Sequence, residues 1–160
     1  MTFKDDDNVE RIYSKIQPDK LIASILRREN LTNYRCDISP SEEYLQVSGR
    51  FLKSGTHVKP HKHIKCERYT DITQEAWIVL DGKILAIFYD MDDSIIFKSE
   101  INKGDIAVLY RGGHSLTVLD KDTVFYEFKT GPYFGIDADK EDINDKNNWF
   151  RDASVCWYIY

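Results

Sequence analysis

From Tyr44 onward apolar and polar residues alternate with a period of two. Leu45, Val47, Gly49 and Phe51 fall on one side and Gln46, Ser48 and Arg50 on the other, which is the pattern of a half-buried β-strand. Strand-like runs recur over 76–80, 83–89, 94–101, 105–110, 115–119 and 123–129, separated by turn signals at Asp81-Gly82, Asp90 to Asp93, Lys103-Gly104 and Asp120 to Asp122. Many short strands with regular punctuation predict an all-β barrel or jelly roll. Ahead of them the spacing differs: Pro18-Asp19 can open a helix, Leu21, Ile22, Ile25 and Leu26 follow helical spacing, and Glu29-Asn30 can close it. The expected organisation is a short helical N-terminal extension over 1–40, a barrel over 41–135 and a C-terminal segment over 136–160.

That last segment begins acidic, from Asp137 to Asp145, where a solvated loop or helix start is expected. It ends in aromatic residues, Trp149-Phe150 and Trp157-Tyr158-Ile159-Tyr160, which are expected to pack on the barrel or on a second copy. A homodimer is therefore predicted.

At 160 residues the chain is read as one domain, long enough to bury roughly two-thirds of the surface its unfolded form exposes. A net charge of −5 and 22 dispersed Lys and Arg residues give no electrostatic footprint for nucleic acid. Cys36, Cys66 and Cys156 form no regular framework, which fits a reducing cytoplasm. The start, Met1-Thr2-Phe3-Lys4 followed by three aspartates, lacks the apolar run of a signal peptide, and no stretch approaches the ~20 apolar residues of a membrane span. The expectation is a cytoplasmic protein with neither nucleic-acid nor membrane partners.

Candidate chemistry concentrates between Gly55 and Gly82. His61 and His63, two apart on an expected strand, would point to one face and converge on one ion. Glu75, on the strand that ends in the Asp81-Gly82 turn, would add a carboxylate, and His114 a further imidazole. Three imidazoles and one carboxylate suit a divalent iron, manganese, nickel or zinc ion. Cys66, three residues after His63, reads as a solvent-exposed loop thiol without a matched general base, an additional ligand or a nucleophile. Glu127 and Lys129 share a strand face, so they form either a charged pair that holds an anionic or hydroxyl-rich ligand or the decoration of a solvated strand. Trp77 shares the face of Glu75 and is expected in the core or the wall of the site.

The pattern Gly55-x5-His61-x-His63, Glu75-x6-Gly82, Gly104-Asp105 and His114 resembles the two motifs of the cupin superfamily. The run Glu127-x-Lys129-x-Gly131-Pro132-Tyr133, with Asp139-Lys140 after it, is similar to the signature of the WbuC-like and WxcM-like sugar cupins, which are encoded among genes for bacterial surface polysaccharides. The resemblance covers about residues 45 to 142. Two departures stand out. Glu67 has the usual spacing from the second histidine, but Glu75 keeps the distance to the glycine turn and so the inward strand phase. At Tyr110-Arg111-Gly112-Gly113-His114 the common pattern has a proline first and one more residue before the histidine.

What the resemblance implies is a metal-binding small-molecule cupin of surface-polysaccharide or nucleotide-sugar metabolism, isomerase- or epimerase-like. Its metal ligands would be His61, His63, Glu75 and His114; Glu127 and Tyr133 would carry protons; Lys129, Arg111 and Trp77 would contact a sugar or sugar nucleotide. An Fe(II)-dependent dioxygenase and a non-catalytic sugar-binding or sensing module are the alternatives.

Overall fold

The computed structural model describes residues 8–119 and 122–143. Ten strands form within them: β1 Val9–Tyr13, β2 Leu21–Leu26, β3 Arg35–Asp37, β4 Ser48–Arg50, β5 Glu75–Asp81, β6 Lys83–Tyr89, β7 Ile95–Asn102, β8 Ile106–Leu109, β9 Gly113–Val118 and β10 Val124–Lys129. They make three antiparallel sheets, in the orders β1-β2-β8-β5-β10, β7-β6-β9 and β3-β4. A single helical turn, α1, covers Ile136–Asp139. No helix is long and apolar enough to cross a membrane among the described residues.

The five-stranded sheet is covered on both faces. On one, Trp77, Val79, Ala107 and Leu109 pack with Ile84, Ala86, Phe88 and Ile101 of the three-stranded sheet. On the other, Ala76, Val108 and Tyr110 pack with Cys36, Ile38, Leu45 and Val47 from the segment around β3 and β4. Burying an apolar side chain stabilises by roughly 1.5–3 kcal/mol, so this two-sided arrangement is what the apolar strands favour. β10 lies at the end of the sheet; its outward residues Val124, Tyr126 and Phe128 are exposed, and the last two touch edge to face.

Two expectations are corrected. The N-terminal helix does not form: Leu21–Leu26 is strand β2, with all six residues buried, and only Arg28–Asn30 makes a 3₁₀ turn. The run Leu-Ile-Ala-Ser-Ile-Leu is apolar on both faces, and placement between β1 and β8 buries both, whereas a helix would bury one stripe. The second concerns His61 and His63. Residues 51–74 contain no strand, and every residue from 51 to 69 is exposed. Between Thr56 and Thr70 the chain offers only Val58, Ile64, Cys66 and Tyr69 among many charged residues, too few apolar positions to give a strand a buried face. The aromatic residues Trp149, Phe150, Trp157 and Tyr160, on which the dimer expectation rests, lie outside the described residues.

Two buried carboxylates pin the turns. Asp105 accepts hydrogen bonds from the backbone N–H groups of Arg28 (2.9 Å) and Asn102 (3.0 Å) and from the Arg27 guanidinium (3.1 Å). The glycine before it has φ +88°, a conformation that L side chains rarely adopt, so Gly104-Asp105 shapes the β7–β8 turn. Asp90 binds the N–H groups of Lys15 (2.7 Å) and Met91 (2.9 Å). Burial alone would raise its pKa, but the Ser14 hydroxyl and the N–H groups of Met91, Lys15 and Ile16 hold it below the usual carboxylate value.

Asp105→Ala is expected to cost about 1.5–3 kcal/mol, the scale of hydrogen bonds to a charged group, read as a lower urea midpoint at unchanged m-value. Asp90, with its pKa depressed on folding, stabilises above the unfolded carboxylate value, and that contribution is lost as pH falls through the folded one. Asp90→Asn should therefore flatten the fall in melting temperature below about pH 4.

Candidate functional site

Strand register gathers the polar residues. β5 and β10 pair Glu75 with Lys129, Trp77 with Glu127 and Val79 with Phe125, and in an antiparallel ladder opposed residues share a face. From the facing sheet, β9 brings His114 opposite Phe88 and Leu116 opposite Ala86 of β6. The space between the sheets is thus apolar at one end, with Val79, Phe125 and Leu116 packed into the core, and polar at the other, with Glu75, Glu127, Lys129 and His114. Trp77 divides the two. Its ring meets His114 edge-on at 5.1 Å and Phe125 at 6.4 Å.

Glu75 is the deepest of the group, with 6% of its side chain exposed. Its Oε1 accepts a hydrogen bond from Trp77 Nε1 and lies 3.7 Å from His114 Nε2. Burial, and then the neighbouring charge of Glu127, raise its pKa from 4.5 to about 7. Glu127, with 40% of its side chain exposed, would be raised by burial too. Hydrogen bonds with Glu75 and Lys129 outweigh that and hold it below the ordinary value. The two carboxyls therefore share a proton, with Glu127 the charged partner. Burial, and then the positive charge of Lys140, push His114 down to about 4. At neutral pH its imidazole is uncharged, so its contact with Glu75 is not an ion pair.

Lys129 supplies the positive charge. Its Nζ lies 3.3 Å from Glu127 Oε1, 3.9 Å from Asp139 Oδ2 and 5.4 Å from the centre of the Tyr133 ring. Burial would lower its pKa, but Glu127, Glu75 and Asp139 keep it above the ordinary lysine value. Asp139, at the end of α1, is held by the Thr73 hydroxyl at 2.6 Å. The result is a carboxyl pair with one mobile proton, a fixed cation, a neutral imidazole and an exposed phenol: a set that can bind an anionic or polyhydroxylated molecule and move protons on it.

Glu75, Trp77, His114, Glu127, Lys129 and Tyr133 are thus brought together, while Glu67 lies exposed in the 51–74 loop. Arg111 is used elsewhere. Its guanidinium bonds both oxygens of Glu43 at 2.8 Å and the Leu21 carbonyl, and Glu43 in turn accepts from Gln74 at 2.7 Å, which ties the segment before β4 to the start of β5. His61 and His63 sit on exposed irregular backbone, and among the described residues no group of three His, Cys, Asp or Glu side chains is gathered in advance. Sequence reasoning missed Thr73, which carries no signal of its own, and the inward role of Asp139, which lies in a tract that reads as solvated. The chain matches no protein-family model, no curated protein and no solved structure.

Glu75→Gln retains an acceptor for Trp77 but cannot ionise. Because the folded pKa of Glu75 is raised, the native state holds its proton more tightly than the unfolded chain, and wild-type stability falls as pH rises from 4.5 through about 7. The variant is expected to lose most of that fall, so melting curves taken between about pH 5 and 8 should converge on the acid side and favour the variant on the alkaline side.

Proposed function

We propose that this chain is a cupin-type barrel that performs acid–base chemistry on a small molecule, in the isomerase or epimerase class, with a sugar or sugar nucleotide as substrate. The observation that carries the reading is the Glu75–Glu127 carboxyl pair with Lys129 beside it: one acid proton, one base and one cation within a single site. The sugar class rests on the likeness of the Glu127-x-Lys129-x-Gly131-Pro132-Tyr133 run to sugar cupins, and the barrel on the two facing antiparallel sheets together with the order of the motif residues.

This chain's own side chains supply the proton transfers. With a carbonyl compound bound, the Glu127 carboxylate removes a proton from the carbon next to the carbonyl. The electron pair of that C–H bond forms the C=C bond, and the carbonyl oxygen takes the Glu75 proton to give an enol. Lys129 offsets the negative charge that develops on oxygen. Delivery of the Tyr133 phenol proton to the opposite face of the carbon, with the enol O–H proton returning to Glu75, inverts the carbon and restores the carbonyl, and the proton held by Glu127 passes through solvent to the Tyr133 phenolate. Return by Glu127 to the former carbonyl carbon, with the hydroxyl proton of the neighbouring carbon surrendered to Glu75, shifts the carbonyl instead. Trp77 and Phe125 close the apolar end against water.

The protein should therefore catalyse deuterium uptake from heavy water at the carbon beside the carbonyl of nucleotide-linked keto sugars, followed by mass spectrometry. Glu127→Gln is expected to slow it by about 10²–10⁴-fold, and Lys129→Ala to weaken binding by about 1.5–3 kcal/mol. Saturable binding without exchange would make the chain a sugar-binding module, and failure to bind any member of the panel would overturn the reading.

A further inference from the structure

We infer that residues 57–66 form a metal-binding loop of their own, in which His57, His61, His63 and Cys66 supply three imidazole nitrogens and a thiolate to one borderline divalent ion such as zinc. The site is separate from the carboxyl pair between the sheets and goes beyond the acid–base reading.

Composition is the first support. The chain has four histidines, and three of them fall in these ten residues together with an exposed free cysteine. Short Cys/His-rich tracts of this kind bind metals. The spacings, His57-x3-His61 and His63-x2-Cys66, lie in the range over which neighbouring ligands close on a tetrahedral ion.

Geometry is the second. The rings of His61 and His63 stand with centres 5.9 Å apart, close to the roughly 5–6 Å that two imidazoles take up on one ion with ~2.0–2.1 Å bonds. Nδ1 of His61 lies 2.9 Å from the Lys59 carbonyl oxygen. When Nδ1–H donates there, the tautomer is set and the Nε2 lone pair faces outward, the outer-shell arrangement that orients metal-bound histidines.

The loop itself is the third. Residues 51–74 are an irregular stretch of a length that compact domains keep for functional loops or for linker segments. All ten residues from 57 to 66 are exposed, so no core packing is disturbed when they rearrange. The four side chains are not gathered beforehand, and binding is coupled to ordering of the loop, as in small structural zinc sites.

Cobalt(II) titration of the reduced full-length protein tests this, because a thiolate ligand adds a near-ultraviolet charge-transfer band and tetrahedral geometry gives intense visible bands. One equivalent should bind, with both features present, and zinc should displace it. Cys66→Ser should abolish the charge-transfer band, and His57→Ala should weaken binding at least about tenfold, the scale that even an outer-shell partner carries. Glu75→Gln and His114→Ala should leave spectrum and affinity unchanged, and far-ultraviolet circular dichroism checks that each variant is folded. Cobalt binding that lacks the thiolate band and is lost in Glu75→Gln or His114→Ala would overturn the inference and assign His61 and His63 to the space between the sheets. Failure of cobalt and zinc to bind at all would overturn it as well, leaving a solvated basic loop.

Discussion

Burial of the five-stranded sheet on both faces is the constraint from which the rest of the molecule follows. Ala76 against Trp77 and Val79 in β5, and residues 106–109 of β8, divide between two apolar layers, so neither strand has a side that could turn to water without loss. The register of each neighbour is thereby specified, since a shift by one residue would exchange the layers. The polar end of the inter-sheet space is a product of that register. Lys129 stands opposite Glu75 because Phe125 must stand opposite Val79.

The price of such a site is a carboxyl held out of water. Isolated, an ionised Glu75 would be untenable at that depth; it is tolerated because it keeps a proton, accepts the indole N–H of Trp77 and shares its charge state with Glu127. Lys129, in contact with Glu127 and Asp139, keeps the cluster near electrical balance. Perturbed titration of this kind, with a specific partner and partial access to solvent, is what marks functional carboxylates in general.

The strands from β5 onward were legible because alternation and turn residues report directly on a pleated, half-buried surface, and the phase that put Glu75 and Trp77 together and Glu127 and Lys129 together was legible for the same reason. Residues 21–26 were not: apolar positions at Leu21, Ile22, Ile25 and Leu26 satisfy a helical stripe and a doubly buried strand equally, and only the presence of a cover on both faces decides. The same limit applies to His61 and His63. Two residues apart means one face only if the backbone is a strand, and a strand needs an apolar side that 56–70 does not possess. Asp139 was illegible because its position depends on a turn beyond β10 that returns the chain to Thr73.

Both ionisable groups contributed by β10 hang from one ladder, since β5 is its sole strand partner among the described residues. On the reverse side of that strand sit Tyr126 and Phe128. A slip of one position would therefore not blur the site but invert it, presenting two aromatic rings to Glu75 and His114 and sending the carboxylate and ammonium to solvent. The irregular pairing between Val124 and Phe125, where the ladder skips a residue of β5, marks the point at which that choice of phase is made. Chemistry here is thus held by alignment: the identity of the groups is local, but their presence between the sheets is a property of how one edge strand is counted against its neighbour.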